Sequence, residues 1–95
     1  MDSDRGRYGY RVVVTRKALR DLVGIPAGDQ ARMREAIADL ANWPEHGRDV
    51  RKLKGRTPPT WRLKEGDWRA LFTLDSNARE VEVGDVVRRS HAYDR

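Results

Sequence analysis

Residues 60–74 carry the pattern that most restricts the fold of this chain. From Thr60 to Lys64, apolar and cationic side chains alternate, and a period of two is typical of a strand with one buried face. A tight turn follows at Gly66, and the alternation resumes from Trp68 to Leu74. The segment therefore predicts an antiparallel hairpin. Its inner face would hold Trp61, Leu63, Trp68, Ala70, Phe72 and Leu74, and its outer face Arg62, Lys64, Arg69, Leu71 and Thr73.

The core around this hairpin must be small. The chain has 95 residues, so we expect one domain spanning residues 1–95. Only 19 of these residues are Leu, Ile, Val or Phe, which predicts a thin apolar core. The formal net charge of +5 is low enough that self-repulsion should not prevent folding.

Composition excludes several classes of protein. The chain has no cysteine, which excludes disulfide scaffolds, cysteine proteases, cysteine-bound zinc fingers and iron–sulfur proteins. The longest apolar run is Val12–Val14, which is too short to span a membrane. The first seven residues lack the apolar stretch of a signal peptide. We therefore expect a soluble, intracellular protein located in the cytoplasm.

The N-terminal half predicts one strand and two helices. Alternation and β-branched residues predict a strand from Tyr8 to Val14, and Thr15 can cap a following helix over Arg16–Val23. A second helix begins near Asp29 and ends before Pro44. Because few residues join the two helices, they should form an antiparallel hairpin. Their apolar faces would consist of Leu19, Leu22 and Val23 in the first helix, and of Met33, Ile37 and Leu40 in the second.

The C-terminal half completes an α+β domain. Residues 44–59 are predicted to be irregular, because prolines and glycines interrupt them. The last strand would span Glu80–Val87, where Gly84 interrupts the alternation and predicts a β-bulge. The element order β-α-α-β-β-β predicts a helical hairpin packed on one face of a mostly antiparallel four-stranded sheet. We expect the first strand to join this sheet beside the last.

Positive charge is concentrated in one fifth of the chain. Residues 51–69 hold seven cationic and two acidic side chains, whereas residues 1–50 have a net charge of +1 and residues 70–95 of −1. Such a density attracts polyanions over a Debye length of about 8–10 Å. A solvated loop with solubilising lysines would produce the same count, so charge by itself leaves both interpretations open.

Five segments together resemble one known family. Tyr10–Thr15 has the form Tyr-x-Val-x-x-Thr, and Ala36–Pro44 has the form Ala-Ile-x-x-Leu followed by proline. Asp49–Gly55 contains Lys-Leu-x-Gly, and Trp61–Phe72 contains Trp-Arg-Leu-x-x-Gly-Asp-x-Arg. Val86–Tyr93 ends in Arg-x-x-x-Tyr. In this order and at this spacing, the segments resemble the RelE/ParE superfamily of toxin–antitoxin toxins, and within it the RelE-type mRNA interferases.

The resemblance implies a fold, an activity and partners. The fold would be a small α+β domain whose curved antiparallel sheet is backed by a helical hairpin. The RelE branch cleaves mRNA in the ribosomal A site, whereas the ParE branch shares the fold, inhibits DNA gyrase and lacks the nuclease residues. Both are neutralised by a cognate antitoxin, which implies a hetero-oligomeric complex. We expect an acidic, partly helical antitoxin over residues 51–69 and the tail, encoded by a neighbouring small reading frame.

The implied reaction is metal-independent cleavage of RNA, with no cofactor. The ribose 2′-OH attacks the adjacent phosphate, which requires a proton acceptor, a stabiliser of phosphorane charge and a donor for the leaving oxygen. Guanidinium groups suit charge stabilisation because they grip phosphate bidentately and keep their charge. The cations and the tail's phenol should then converge on one hollow. By motif, the resemblance implies catalytic roles for Arg62, Lys64, Arg69, Arg89, His91 and Tyr93, and RNA or phosphate binding by Lys52, Lys54, Arg56 and Arg88.

Alternatives from other classes stay open at this point. The chain could be a ParE-like gyrase inhibitor without nuclease activity, or a non-catalytic nucleic-acid-binding module that uses the same basic face. Single residues also have simpler readings. Arg69 could pair with Asp67 or Glu82 on the sheet face, and Trp61 and Trp68 are better explained as core aromatics than as platforms for bases.

Overall fold

Two helices pack on one face of a five-stranded mixed sheet. The computed structural model describes residues 5–91. The strands lie in the order β1-β5-β4-β3-β2, with β1 parallel to β5 and every other pair antiparallel. The elements are β1 Arg11–Val14, α1 Arg16–Val23, α2 Ala27–Asp39, a 3-10 turn Leu40–Asn42, β2 Asp49–Lys52, β3 Trp61–Glu65, β4 Trp68–Asp75, β5 Glu80–Arg88 and a 3-10 turn Arg89–His91.

This architecture confirms the α+β class and corrects the strand count. The first strand does lie beside the last, as expected. The expected irregular segment, however, contains β2, which pairs with β3 at the edge of the sheet. Within β2 only Val50 is half-buried, while Asp49, Arg51 and Lys52 are exposed. An edge strand without an apolar alternation has no periodic signal in the sequence, so the prediction missed it.

The β3–β4 hairpin forms with the predicted faces. Leu63 lies opposite Ala70, and Trp61 lies opposite Phe72. Gly66 makes the turn with a φ of 60°, a left-handed conformation that suits glycine. Directly opposed residues of an antiparallel pair share one face, so Leu63, Ala70 and Phe72 form a buried layer on the helix side.

The bulge predicted at Gly84 keeps β5 in phase with the core. Leu71 pairs with Asp85 and Phe72 pairs with Val83, so Gly84 is skipped in the ladder. The side-chain alternation restarts after the skip. The core therefore receives Val81, Val83 and Val86 from β5, although these positions do not share a strict period of two.

Helix α1 buries Leu22, as expected, but not the other two residues of the predicted stripe. Ala18 and Leu22 are buried, whereas Leu19 is 43% and Val23 is 69% exposed. The small Ala18 side chain lets the helix approach β5 closely, and this contact turns Leu19 and Val23 outward. Periodicity by itself could not choose between the two stripes, because both have helical spacing.

Helix α2 presents the predicted apolar stripe to the sheet. Met33, Ile37 and Leu40 are buried, as expected, and the helix begins at Ala27, directly after Pro26. The buried core consists of Tyr10, Ala18, Leu22, Ile25, Met33, Ala36, Ile37, Leu40, Leu63, Ala70, Phe72, Val81, Val83 and Val86. Trp43, Trp61 and Trp68 pack against it while only partly buried. Across residues 5–91, no helix has the length and apolar character needed to cross a membrane.

Thr15 links the start of α1 to the bulge, and its removal should destabilise the domain. Its Oγ1 accepts a hydrogen bond from the Ala18 N–H at 3.2 Å and donates to the Gly84 carbonyl at 3.3 Å. We expect T15A to lower the free energy of unfolding by about 1 kcal/mol, the usual loss for a helix N-cap. Urea unfolding measures this. The control T15S keeps the hydroxyl and should stay near the unaltered protein; an equal loss in both variants would show that the hydroxyl is not responsible.

Candidate nucleic-acid interface

The sheet face turned away from α1 and α2, here called the outer face, carries a group of cations. Lys64 lies directly opposite Arg69 across β3 and β4, and Arg62 lies two residues before Lys64. Arg51, on β2, lies directly opposite Arg62. The structure therefore brings Arg62, Lys64 and Arg69 together on one face, as the alternation predicts. Arg51 was missed because its strand was not recognised.

Arg62 is a buried guanidinium held by a carboxylate at the sheet edge. It is 6% exposed, and its Nη1 donates to the Asp49 carbonyl at 3.0 Å and to Asp49 Oδ1 at 2.9 Å. The hydrogen bond from Arg62 holds the pKa of the Asp49 carboxyl below its ordinary value of 3.8. This pair fastens the edge strand β2 to β3 and fixes the orientation of the guanidinium.

Arg69 is equally buried but is held by backbone carbonyls. Its exposed fraction is 6%, and its Nη1 donates to the carbonyls of Gly66 and Trp68, both at 2.9 Å. These acceptors replace Asp67 and Glu82, which were the alternative partners expected from the sequence. Arg69 thus supports the β3–β4 turn, and no carboxylate within residues 5–91 forms an ion pair with it.

Both guanidinium groups retain an unused donor. Within the part of the chain that the structure describes, the Nε atoms of Arg62 and Arg69 are buried without a hydrogen-bond partner. A buried donor left in this state costs about 1–3 kcal/mol, so such groups call for an explanation. Both arginines lie on one face beside the exposed Lys64, so this face combines two oriented guanidinium groups with one accessible cation.

The C-terminal candidates are only partly placed. The Arg89 N–H donates to the Asp67 carbonyl at 2.9 Å, which holds the start of the last turn beside the β3–β4 turn. The backbone of His91 ends the described residues, and its side chain is not described. Tyr93 lies outside the described residues. The expected convergence of the tail's phenol with the cations therefore stays a prediction.

Two predicted phosphate-binding residues lie on the other side of the sheet. Lys52 is opposite Trp61, and its Nζ lies 5.9 Å from the centroid of that ring. Arg88 is opposite Trp68 and lies 5.2 Å from its ring centroid, and the Trp68 Nε1–H donates to Asp29 of α2. The bulge at Gly84 puts Arg88 on this helix side. The structure thus does not bring Lys52 and Arg88 together with Arg62.

The remaining two candidates lie in the loop between β2 and β3. Lys54 is exposed. Arg56 lines a cavity of about 210 Å³ on the outer face, together with Leu71, Glu82 and Asp85. Carboxylates line this cavity. The outer face is therefore cationic around Arg69 and acidic around Glu82 and Asp85, which lie on β5.

His46 has a structural role. Its ring stacks on Trp43 with centroids 5.1 Å apart, and its Nδ1 accepts a hydrogen bond from the Arg48 N–H at 3.0 Å. Burial lowers the pKa of His46 below 6.5. The Arg48 side chain in turn pairs with Asp39 and Glu65. These contacts secure the loop that leads into β2.

An apolar groove lies beside β1, at the opposite edge of the sheet from β2. Its cavity of about 240 Å³ is lined mainly by Val12, Val14, Leu19 and Ile37. The outward rotation of α1 exposes Leu19 here, and Val23 follows one turn later. Sequence reasoning placed these side chains in the core, so it could not identify the groove.

The Arg62–Asp49 pair predicts a pH-dependent contribution to stability. Because the folded-state pKa of Asp49 is depressed, the pair stabilises the fold above the ordinary pKa of 3.8 and loses this effect as the pH falls through the lower folded-state value. We expect D49N to unfold more easily than the unaltered protein at pH 7 and to match it at the acid limit. Denaturant unfolding at several pH values measures the difference. The control is D67N, which removes an exposed carboxylate in the β3–β4 turn. A loss of stability in D49N that does not depend on pH would refute the ion-pair explanation.

Comparison with known proteins identifies the family. Residues 12–93 match the sequence model of the family described as the ParE toxin of the type II toxin–antitoxin system, parDE. The toxin–antitoxin complex RelBE2 from Mycobacterium tuberculosis is similar at 29% identity and a TM-score of 0.70, over 85% of this chain and 92% of that chain. No curated protein sequence matches the chain significantly.

Two archaeal structures share the fold at lower identity. The RelE–RelB complex from Pyrococcus horikoshii OT3 has 23% identity and a TM-score of 0.71, over 87% of this chain and 98% of that chain. The RelB–RelE complex from Methanococcus jannaschii has 19% identity and a TM-score of 0.68, over 86% and 95%. With the family match across most of its length, the chain belongs to the ParE toxin family of the RelE/ParE superfamily and is the toxin of a type II toxin–antitoxin system.

Proposed function

We propose that this toxin is an endoribonuclease that cleaves mRNA, on or near the ribosome, by attack of a 2′-OH on the adjacent phosphate. The observation that carries the proposal is the cationic group on the outer face, where Lys64 lies directly opposite Arg69 and Arg62 lies beside them. The similarity to a RelE-type toxin at 29% identity supports this choice within the family.

The two buried arginines suit stabilisation of a phosphorane. Each is oriented before any ligand arrives, Arg62 by Asp49 and Arg69 by backbone carbonyls. Donors that are already aimed need no reorganisation when negative charge develops, and this preorganisation is the largest source of catalysis in many enzymes. The exposed Lys64 would contact a phosphate oxygen first. In this proposal, proton transfer falls to the tail, with His91 and Tyr93 as candidates by motif, and Arg89 adds positive charge that stabilises the transition state.

Gyrase inhibition is the second candidate. The matching family model is that of ParE toxins. In addition, Arg62 and Arg69 already donate hydrogen bonds to protein acceptors. A toxin that acts by binding would need no free catalytic arginine. The two functions differ in what they leave intact, because a nuclease spares DNA supercoiling and a gyrase inhibitor spares RNA.

Loss of Lys64 should abolish most RNA cleavage without affecting the fold. Lys64 is exposed, so K64M removes a charge from the outer face while leaving the core untouched. We expect cleavage to fall by about 100-fold, as is usual when one stabilising donor is removed from a transition state. R69A should lose at least as much. Primer-extension mapping of mRNA after induction measures cleavage, and circular dichroism confirms folding.

The control is R16M, which removes one exposed cation at the start of α1 and should cleave like the unaltered toxin. Cleavage by K64M equal to that of R16M would remove Lys64 from the mechanism. A supercoiling assay with purified gyrase runs in parallel. Inhibited gyrase with intact RNA would establish the ParE-like function. If the toxin neither cleaves RNA nor inhibits gyrase, a non-catalytic nucleic-acid-binding module is the remaining alternative.

We further propose that a cognate antitoxin covers two surfaces of the toxin. The similar solved structures are complexes of a toxin with its antitoxin. An acidic segment would neutralise the cations of residues 51–69. An apolar segment fits the groove beside β1, because Leu19 and Val23 expose apolar area next to an edge of β1 that no other strand within residues 5–91 covers. Both features mark interaction sites.

Substitution of Val23 should separate toxicity from neutralisation. Val23 is 69% exposed, so V23D should fold and remain toxic while binding the antitoxin about tenfold or more weakly, since a charge would be buried against apolar surface. V23I keeps the apolar surface and should be neutralised normally. Growth of cells that co-express toxin and antitoxin provides the measurement. Full rescue of V23D by the antitoxin would exclude this surface from the interface.

A further inference from the structure

A further pocket, with aromatic walls, lies on the helix side of the sheet. It has a volume of about 490 Å³, and its walls include Tyr10, Trp43, Trp61, Lys52, Pro58 and Pro59. This volume falls in the range of sites that bind small molecules or single nucleotides, about 300–1,000 Å³. Trp61 and Lys52 of its wall lie on the side of the sheet opposite Arg62, while Pro58 and Thr73 line both this pocket and the outer-face cavity.

The pocket combines flat aromatic surfaces with one cation. Trp43 and Trp61 meet edge to face, with ring centroids 5.1 Å apart and an interplanar angle of 77°. Lys52 is exposed, and its Nζ lies 5.9 Å from the Trp61 ring centroid. An aromatic wall stacks on a planar ring, and an ammonium beside it binds an anion. A nucleobase attached to a phosphate has both of these groups.

The local charge favours an anion over other ligands of aromatic pockets. Lys52 lies in the pocket wall, and its positive charge would repel a quaternary ammonium ligand. Lys54 is exposed two residues beyond Lys52, where it can meet a second phosphate of the same chain. Stacking with phosphate contacts spaced along a strand is the way proteins bind single-stranded nucleic acid.

We propose that this pocket binds one nucleotide of a single-stranded RNA, with its base against Trp61 and its phosphate at Lys52. The inference rests on RNA being the toxin's substrate, as proposed above, and it adds a binding site on the face opposite the cleavage site. This assignment accounts for the position of Lys52, which the outer face does not use.

The test uses a 2′-O-methyl hexa-adenylate, which has no free 2′-OH and therefore cannot be cleaved. Fluorescence anisotropy of the labelled oligonucleotide measures affinity. We expect K52E to weaken binding at least about tenfold, the range in which a stacked nucleotide and its phosphate contact contribute. R16E also exchanges an exposed cation for a carboxylate, at the start of α1 and outside the pocket walls, and should weaken binding much less. K52R should bind like the unaltered toxin.

NMR spectra of the tryptophan indole N–H groups locate the bound base. On addition of the oligonucleotide, the resonances of Trp43 and Trp61 should shift, whereas that of Trp68, which donates to Asp29 elsewhere on the helix side, should stay in place. Equal losses in K52E and R16E, or equal shifts of all three indoles, would reduce the effect to general attraction of a polyanion and overturn the proposal. A hexaglutamate peptide that binds as tightly and shifts the same two indoles would overturn it in favour of a protein partner.

The pocket and the proposed function can fail separately. A toxin that cleaves RNA but shows no shift of Trp43 and Trp61 retains the nuclease function and loses the second site. A toxin that cleaves no RNA but binds the oligonucleotide in a Lys52-dependent way retains the second site and loses the nuclease function.

Discussion

The register between β3 and β4 decides on which side of the sheet each cation of the hairpin lies. Leu63 opposite Ala70 and Trp61 opposite Phe72 bury one face against the helices. The other face then carries Arg62, Lys64 and Arg69. A slip by one residue would exchange the two faces, since strand side chains alternate with a period of two. Burial of the apolar layer therefore sets the position of the cations as well.

The outer face is held together by hydrogen bonds that also limit its chemistry. Asp49 orients Arg62 and at the same time fastens β2, a strand with little apolar surface, to the sheet. The carbonyls of Gly66 and Trp68 do the same for Arg69 and the turn. Each arginine keeps its charge, so the same contacts that stabilise the edge also leave cations of fixed geometry on this face. This dual use explains why both side chains are buried yet remain candidates for phosphate binding.

The sheet divides the basic segment of residues 51–69 between two surfaces. A count of charges describes one cationic region, but β2 and β3 turn successive side chains to opposite sides. Arg51, Arg62 and Lys64 lie on the outer face, while Lys52 lies with Trp61 on the helix side. The bulge at Gly84 adds Arg88 to the helix side. The described part of the toxin therefore carries basic side chains on both surfaces of the sheet.

The amino-acid sequence by itself determined the features that depend on local order. These are the hairpin faces, the Thr15 cap, the α2 stripe, the bulge and the family, because alternation, capping residues and motif spacing are properties of neighbouring residues. Tertiary structure decided the rest. Strand β2 exists because β3 offers it a partner, and α1 exposes Leu19 and Val23 because Ala18 fits closely against β5. Which side of the sheet holds Lys52 and Arg88 depends on pairing with strands distant in sequence, and no local pattern contains that information.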